Sequence, residues 1–126
     1  MSEPIIIIDT SQIRPGRLED LKRAFAELAQ FVQANEQQAI AYSVYFDEQG
    51  STVTVVQVHP DSSSAELHMD IAGPAFRGFA DLLVLHGIDV YGNPSEELLS
   101  RLWRKAQMLG SERVAVHRLH AGFARF

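Results

Sequence analysis

The stretch AIAYSVYFDEQGSTVTVVQVH, residues 39–59, decides how the fold is read. Two β-rich runs flank Asp47-Glu48-Gln49-Gly50, a short polar loop ending in glycine, and this predicts a hairpin. In the first run Ile40, Tyr42, Val44 and Phe46 share one face, and Ala41, Ser43 and Tyr45 share the other. In the second, Val53, Val55, Gln57 and His59 alternate with Thr54, Val56 and Val58. Both faces are largely apolar, so both are expected to be covered. The chain's own helices can cover one. The other needs a second sheet, which a chain of 126 residues does not have to spare, so a homodimer is expected.

Working outward, PIIIIDT (residues 4–10) reads as a buried strand followed by the turn signals Thr10, Ser11 and Pro15-Gly16. From Arg17 the period changes: Leu18, Leu21, Phe25, Leu28 and Val32 form the stripe of an amphipathic helix running to about Asn35. After the hairpin, Ser62 to Ser64 start a second helix. It is expected to pause at Gly73-Pro74 and resume through Phe76, Phe79, Leu82 and Leu83. GIDVYG (residues 87–92) predicts a short strand. Asn93, with Pro94 and Glu96 behind it, is expected to cap a third helix whose apolar face is Leu98, Leu99, Leu102, Trp103 and Ala106. The last segment, RVAVHRLHAGFARF, predicts a strand with an extended tail. This order is α+β: a ferredoxin-like βαββαβ core over residues 4–93 with an added C-terminal helix and strand over 94–126, in one domain.

Composition narrows the chemistry. The chain has no cysteine, which excludes disulfides, thiolate catalysis and cysteine-based zinc sites. The apolar run Ile5 to Ile8 is too short for a signal peptide or a membrane span, so a cytoplasmic protein without a membrane partner is expected. The net charge of −5 is unevenly spread: residues 1–100 carry 15 acidic and 5 basic side chains, residues 101–126 carry 6 basic ones and only Glu112. A basic tail can meet nucleic acid, but a nucleic-acid binder normally carries a basic face on the domain itself. The expectation is therefore no nucleic acid, with the tail docked on the acidic body of its own or a partner chain.

No nucleophile elbow, phosphate loop or paired-histidine zinc motif is present. His117 and His120, three apart on a strand, point to opposite faces, so no metal is expected. Asp9 shares a strand face with Ile5 and Ile7, and a carboxylate partly buried at the sheet's edge could act as a general acid or base; it could equally hydrogen-bond the following turn. His59 ends its strand, and His68 shares a helix side with Ala65 and Ala72, so it can face the sheet as a working group or as a satisfied core histidine. Tyr42 can offer its hydroxyl to a ligand while its ring packs.

These residues also carry a resemblance. The apolar strand leading into RPG, then YSVYFDEQ, VVQVHPD and HMDIAGPAFRGFADLL, is similar to the antibiotic biosynthesis monooxygenase family of dimeric α/β barrels, with Pro74, Phe76 and Phe79 matching its Ser-Pro-x-Phe-like element and second aromatic. The resemblance implies a homodimer whose two sheets face each other, and oxygenation of a small aromatic or quinone-like molecule without cofactor. It implies Asp9, His59 and His68 as catalytic candidates and Tyr42, Phe76 and Phe79 as substrate-binding ones. A non-catalytic dimeric binding or stress-related module of the same fold is the alternative. Haem is not expected: Asp9 and His59 stand where haem-degrading relatives have Asn and Trp, and Ala80 where they have the ligating histidine. The gap from His68 to Phe76 is eight residues where the family usually has six.

Overall fold

A computed structural model describes residues 3–126. The elements run β1 (Ile5–Ile13), α1 (Leu18–Asn35), β2 (Ala41–Phe46), β3 (Thr52–His59), α2 (Ser62–Phe79), β4 (Leu83–Tyr91), α3 (Glu96–Met108) and β5 (Val114–His117). They form one sheet in the order β2-β3-β1-β4-β5, antiparallel except for β4 with β5. The first four strands have the ferredoxin-like arrangement, and α3 and β5 extend it along β4. The hairpin closes as expected: Asp47 accepts hydrogen bonds from the Ser51 and Thr52 amides, and Gly50 takes the positive φ of 70° that the turn demands.

All three helices pack on one face of the sheet. Ile5, Ile7 and Ile13 of β1 and Val53 and Val55 of β3 meet Leu21, Phe25, Leu28 and Val32 of α1 in the core. Phe25 and Phe79 pair edge-to-face at 4.7 Å. The opposite face is uncovered in the single chain. There Ile6 and Ile8 lie beside Val58 and Val56, with Ala41 beyond, all part-exposed.

Four local expectations are corrected. The helix does not break at Gly73-Pro74: α2 is continuous through Pro74 to Phe79. Pro74 removes only one backbone hydrogen bond, it lies on the exposed side, and Ala72, Phe76 and Phe79 are buried on the sheet around it. Leu83 belongs to β4, not to that helix, because Leu83 and Leu85 point into the core on alternate positions. The third helix is capped by Ser95, whose hydroxyl accepts from the Leu98 amide at 3.0 Å, while Asn93 receives Arg118 instead. Its inward stripe is Leu98, Leu102, Lys105 and Ala106; Trp103 is 39% exposed.

The basic segment from Arg101 to His117 docks on its own acidic body, whereas residues 119–126 are exposed. Arg113 and His117 both reach Asp89 at 2.8 Å, and Arg101 pairs with Glu97 and Asp70.

Candidate active site

The helix-facing side of the sheet is not wholly apolar. β1 places Asp9 and Ser11 inward between Ile7 and Ile13, and β3 places Gln57 and His59 inward after Val55; all four are buried. The strand period of two decides this, since each polar residue sits on the same parity as its apolar neighbours. From the helices, α2 adds His68, α3 adds Lys105, and Glu36 closes α1; these too are buried. A domain of this size rarely buries so many ionisable groups without a use for them.

They fall into two linked parts. In the first, His68 Nδ1 lies 2.7 Å from Glu36 Oε1 and 3.0 Å from Oε2. With the carboxylate accepting the Nδ1–H, the neutral form of the ring offers Nε2 as an acceptor, and that atom is buried with no partner among the described residues. His59 lies beside it, ring centroids 5.4 Å apart, with Nε2 3.0 Å from Gln57 Oε1 and Nδ1 unpartnered. Burial, reinforced by the nearby His68, pushes the His59 pKa down to about 4, against a weaker opposing pull from Asp61. His59 is therefore neutral at pH 7.

In the second part, Lys105 Nζ is 3.1 Å from Asp9 Oδ2 and sits 4.2 Å from the centroid of Phe76. Asp9 is thus not at a sheet edge, nor does it bond the following turn. It sits mid-way along the central strand, because β1 continues to Ile13, and it is paired with a lysine 96 residues away. Tyr42 joins the two parts. Its ring is 5.5 Å from that of His68, and its hydroxyl is held well above the ordinary phenol pKa, chiefly by burial and then by the charges of Asp9 and Glu36. A tyrosine in that setting stays protonated and acts as a hydrogen-bond donor.

The interior cavity beside the Asp9–Lys105 pair is small, about 10 Å³, lined by Asp9, Ser11, Tyr42, Phe76, Phe79 and Lys105 among others and not by the two histidines. That is room for about one water and not for an aromatic ring. Larger grooves flank it. One of about 440 Å³ between α1 and β2 reaches Glu36 and Tyr42; another of about 420 Å³ between α2 and α3 reaches Phe76 and Lys105. Tyr42 on one side, and Phe76 with Lys105 on the other, are the partitions between groove and interior. Among the described residues no group of three or more His, Asp or Glu side chains is placed to hold a metal ion, and no helix is long and apolar enough to cross a membrane.

All six residues singled out in the sequence lie in or beside this cluster. Phe76 and Phe79 wall it, ring centroids 6.5 Å apart, and Phe76 is 6.2 Å from His68. The sequence reading missed Glu36, Gln57 and Lys105. Glu36 stands four residues after Val32, at the next position of the α1 stripe, and Lys105 stands three after Leu102 on the α3 stripe. A charged residue on an apolar stripe was the available signal.

The His59 geometry sets a pH dependence. The folded protein refuses a proton that the unfolded chain, with an ordinary histidine pKa near 6.5, accepts; this stabilisation is fully present above pH 6.5 and is lost as pH falls towards 4. The loss attributable to His59 is about 3 kcal/mol over that window. His59→Gln is expected to flatten the acid limb by that order in urea titrations at pH 7, 6, 5 and 4. Parallel limbs for the two proteins would contradict the assignment.

Neither a family model nor a curated protein matches the chain. Solved structures do. MupZ from Pseudomonas fluorescens superposes with a TM-score of 0.76 at 16% identity, over 98% of this chain and 96% of that one. SnoaB from Streptomyces nogalater, a cofactor-independent oxygenase, gives 0.62 at 11% identity over 75% of this chain and 96% of that one. A candidate antibiotic biosynthesis monooxygenase from Caulobacter crescentus gives 0.63 at 17% identity, over 71% and 88%. The last two leave a quarter or more of this chain unmatched, a share the size of residues 94–126, whereas the match to MupZ spans nearly all of it. The chain has the ferredoxin-like α+β fold of the antibiotic biosynthesis monooxygenases.

Proposed function

We propose that the protein is a cofactor-independent enzyme that oxygenates a small aromatic or quinone-like molecule, with His68 as its general base. The observation that carries this reading is the buried His68 side chain, with one ring nitrogen held by Glu36 and the other bare. A base oriented by a carboxylate and stripped of water is the arrangement that proton abstraction needs. The fold shared with a cofactor-independent oxygenase supports it.

In this mechanism His68 Nε2 removes a proton from a phenolic or quinol-like substrate. The Tyr42 hydroxyl donates a hydrogen bond to the oxyanion that develops, and Lys105 adds positive charge nearby. The resulting electron-rich carbon, which still carries one hydrogen, gives its electron pair to dioxygen and forms a C–O bond; the peroxide anion takes back the proton, and loss of the remaining C–H proton with cleavage of the O–O bond releases water and leaves a carbonyl. The substrate supplies all the electrons. Asp9, already paired with Lys105, holds that lysine instead of serving as the base. Neutral His59 is free to accept a hydrogen bond through Nδ1. Because the interior holds about one water, Tyr42 or Phe76 must swing aside to admit a ring.

The small cavity also favours a second reading, a non-catalytic dimeric binding module. Oxygen uptake separates the two. Wild-type protein given a panel of naphthols, anthrones and quinols should consume oxygen with at least one of them, and His68→Gln should not. No uptake across the panel would favour the module.

Both readings include a homodimer formed through the uncovered sheet face, supported by the part-exposed Ile6, Ile8, Val56 and Val58. Val56→Asp, at the middle of that face, is expected to halve the mass measured by sedimentation. A wild-type monomer, or a variant that stays dimeric, would count against it.

A further inference from the structure

The groove between α2 and α3 is net positive in an acidic chain. Four cations line it, Arg77, Arg101, Arg104 and Lys105, against two carboxylates, Asp70 and Glu97, in a chain whose net charge is −5. The four are not equally committed. Arg101 is fully used, bonding Glu97 at 2.8 Å, the Glu66 carbonyl at 2.9 Å and Asp70. Lys105 is held by Asp9. Arg104 has a 3.9 Å approach to Glu97 and a long 3.5 Å hydrogen bond from Nε to the Ser100 carbonyl, and Arg77 has no ion pair among the described residues. Two guanidinium groups are therefore available at the rim.

Met69, Phe76 and the exposed Met108 supply the apolar part of a lining that is otherwise mostly polar. Gly73 opens it further, since a Cβ there would meet nothing within 4 Å. Its volume of about 420 Å³ is that of a small-molecule site. At its inner end Phe76 and Lys105 also wall the interior cavity, so a ligand in the groove abuts the buried polar cluster. Arginine's planar fork matches a carboxylate in two parallel hydrogen bonds.

We propose that this groove is the substrate's anchoring site and that the substrate is an apolar molecule bearing a carboxylate, its anion held by Arg77 and Arg104 and its apolar body directed past Phe76 towards the interior. This deepens the enzymatic reading by naming a substrate class and rests on it. A phosphate monoester meets the same two arginines, so the titration below includes one as the competing chemistry.

Calorimetric titration with 2-naphthoate, 2-naphthamide and 2-naphthyl phosphate tests the proposal without turnover, so its failure is distinguishable from failure of the oxygenase reading. The carboxylate is expected to bind at least tenfold more tightly than the amide, more tightly than the phosphate, and more weakly as salt is raised. Arg77→Gln with Arg104→Gln, both at exposed positions, should bring the carboxylate to the level of the amide. Equal binding of carboxylate and amide, preference for the phosphate, no binding of any probe, or a preference that survives the double substitution would each overturn it.

Discussion

Lys105→Met is expected to destabilise the protein by about 3–5 kcal/mol, a large share of the total stability of a domain this size. The methionine replaces the packing of the lysine stem on Phe76 but leaves Asp9 as an unpaired buried charge between β3 and β4. The cost is the carboxylate's desolvation, not lost contact area. One consequence separates this account from a simple packing defect. The double variant Asp9→Asn, Lys105→Met should regain most of the stability, because a neutral amide costs far less to bury than a carboxylate. Urea midpoints of the wild type, both single variants and the double variant decide the matter. If the two single losses simply add in the double variant, the pair is not the unit described here.

His68→Gln is expected to lower kcat by about 10²–10⁴-fold on a confirmed substrate, with little change in KM. Glutamine keeps a hydrogen-bonding group near Glu36 but offers no basic nitrogen, so substrate still binds and the proton stays on it. Glu36→Gln should act in the same direction, because it removes the negative charge beside Nδ1 and leaves an amide that can donate to that nitrogen as well as accept from it, so the imidazole tautomer is no longer fixed. The two should not be additive: once His68 is gone, Glu36 has nothing left to orient. Initial rates of oxygen uptake for the four members of this cycle, each first shown to unfold cooperatively, give the answer. A Glu36→Gln effect that persists at full size in the His68→Gln background would show that Glu36 acts on something other than His68.

Much of the fold was legible locally. The hairpin at 39–59 and the α1 stripe both declare themselves through period, and the structure follows them because burial of one face is what stabilises each element. Where local reading failed, a tertiary contact overrode a local signal. Gly73-Pro74 is a helix-breaking pair, yet Ala72, Phe76 and Phe79 anchor both halves of α2 on the sheet, and packing outweighs one missing hydrogen bond. Leu82 and Leu83 fit a helix stripe as well as a strand, and pairing of Leu83 with Ile13 on β1 settles it.

The candidate site was legible by residue type and not by partnership. Asp9, Tyr42, His59 and His68 were recognisable because each interrupts an apolar face with a titratable group. Their roles depend on Glu36 and Lys105, and no spacing rule joins residue 36 to 68 or 9 to 105. The sequence alone determined the order of elements and the shared parity of Asp9 with Ile5 and Ile7 and of His59 with Val53 and Val55, since the strand period is a property of the backbone; which face turns inward, and that His68 joins it, came from the packing of the helices. Only the tertiary structure decided which acid meets which base. A charge buried where water cannot reach must be neutralised by whatever the folded chain brings within hydrogen-bonding distance, and that distance is set by how whole elements pack.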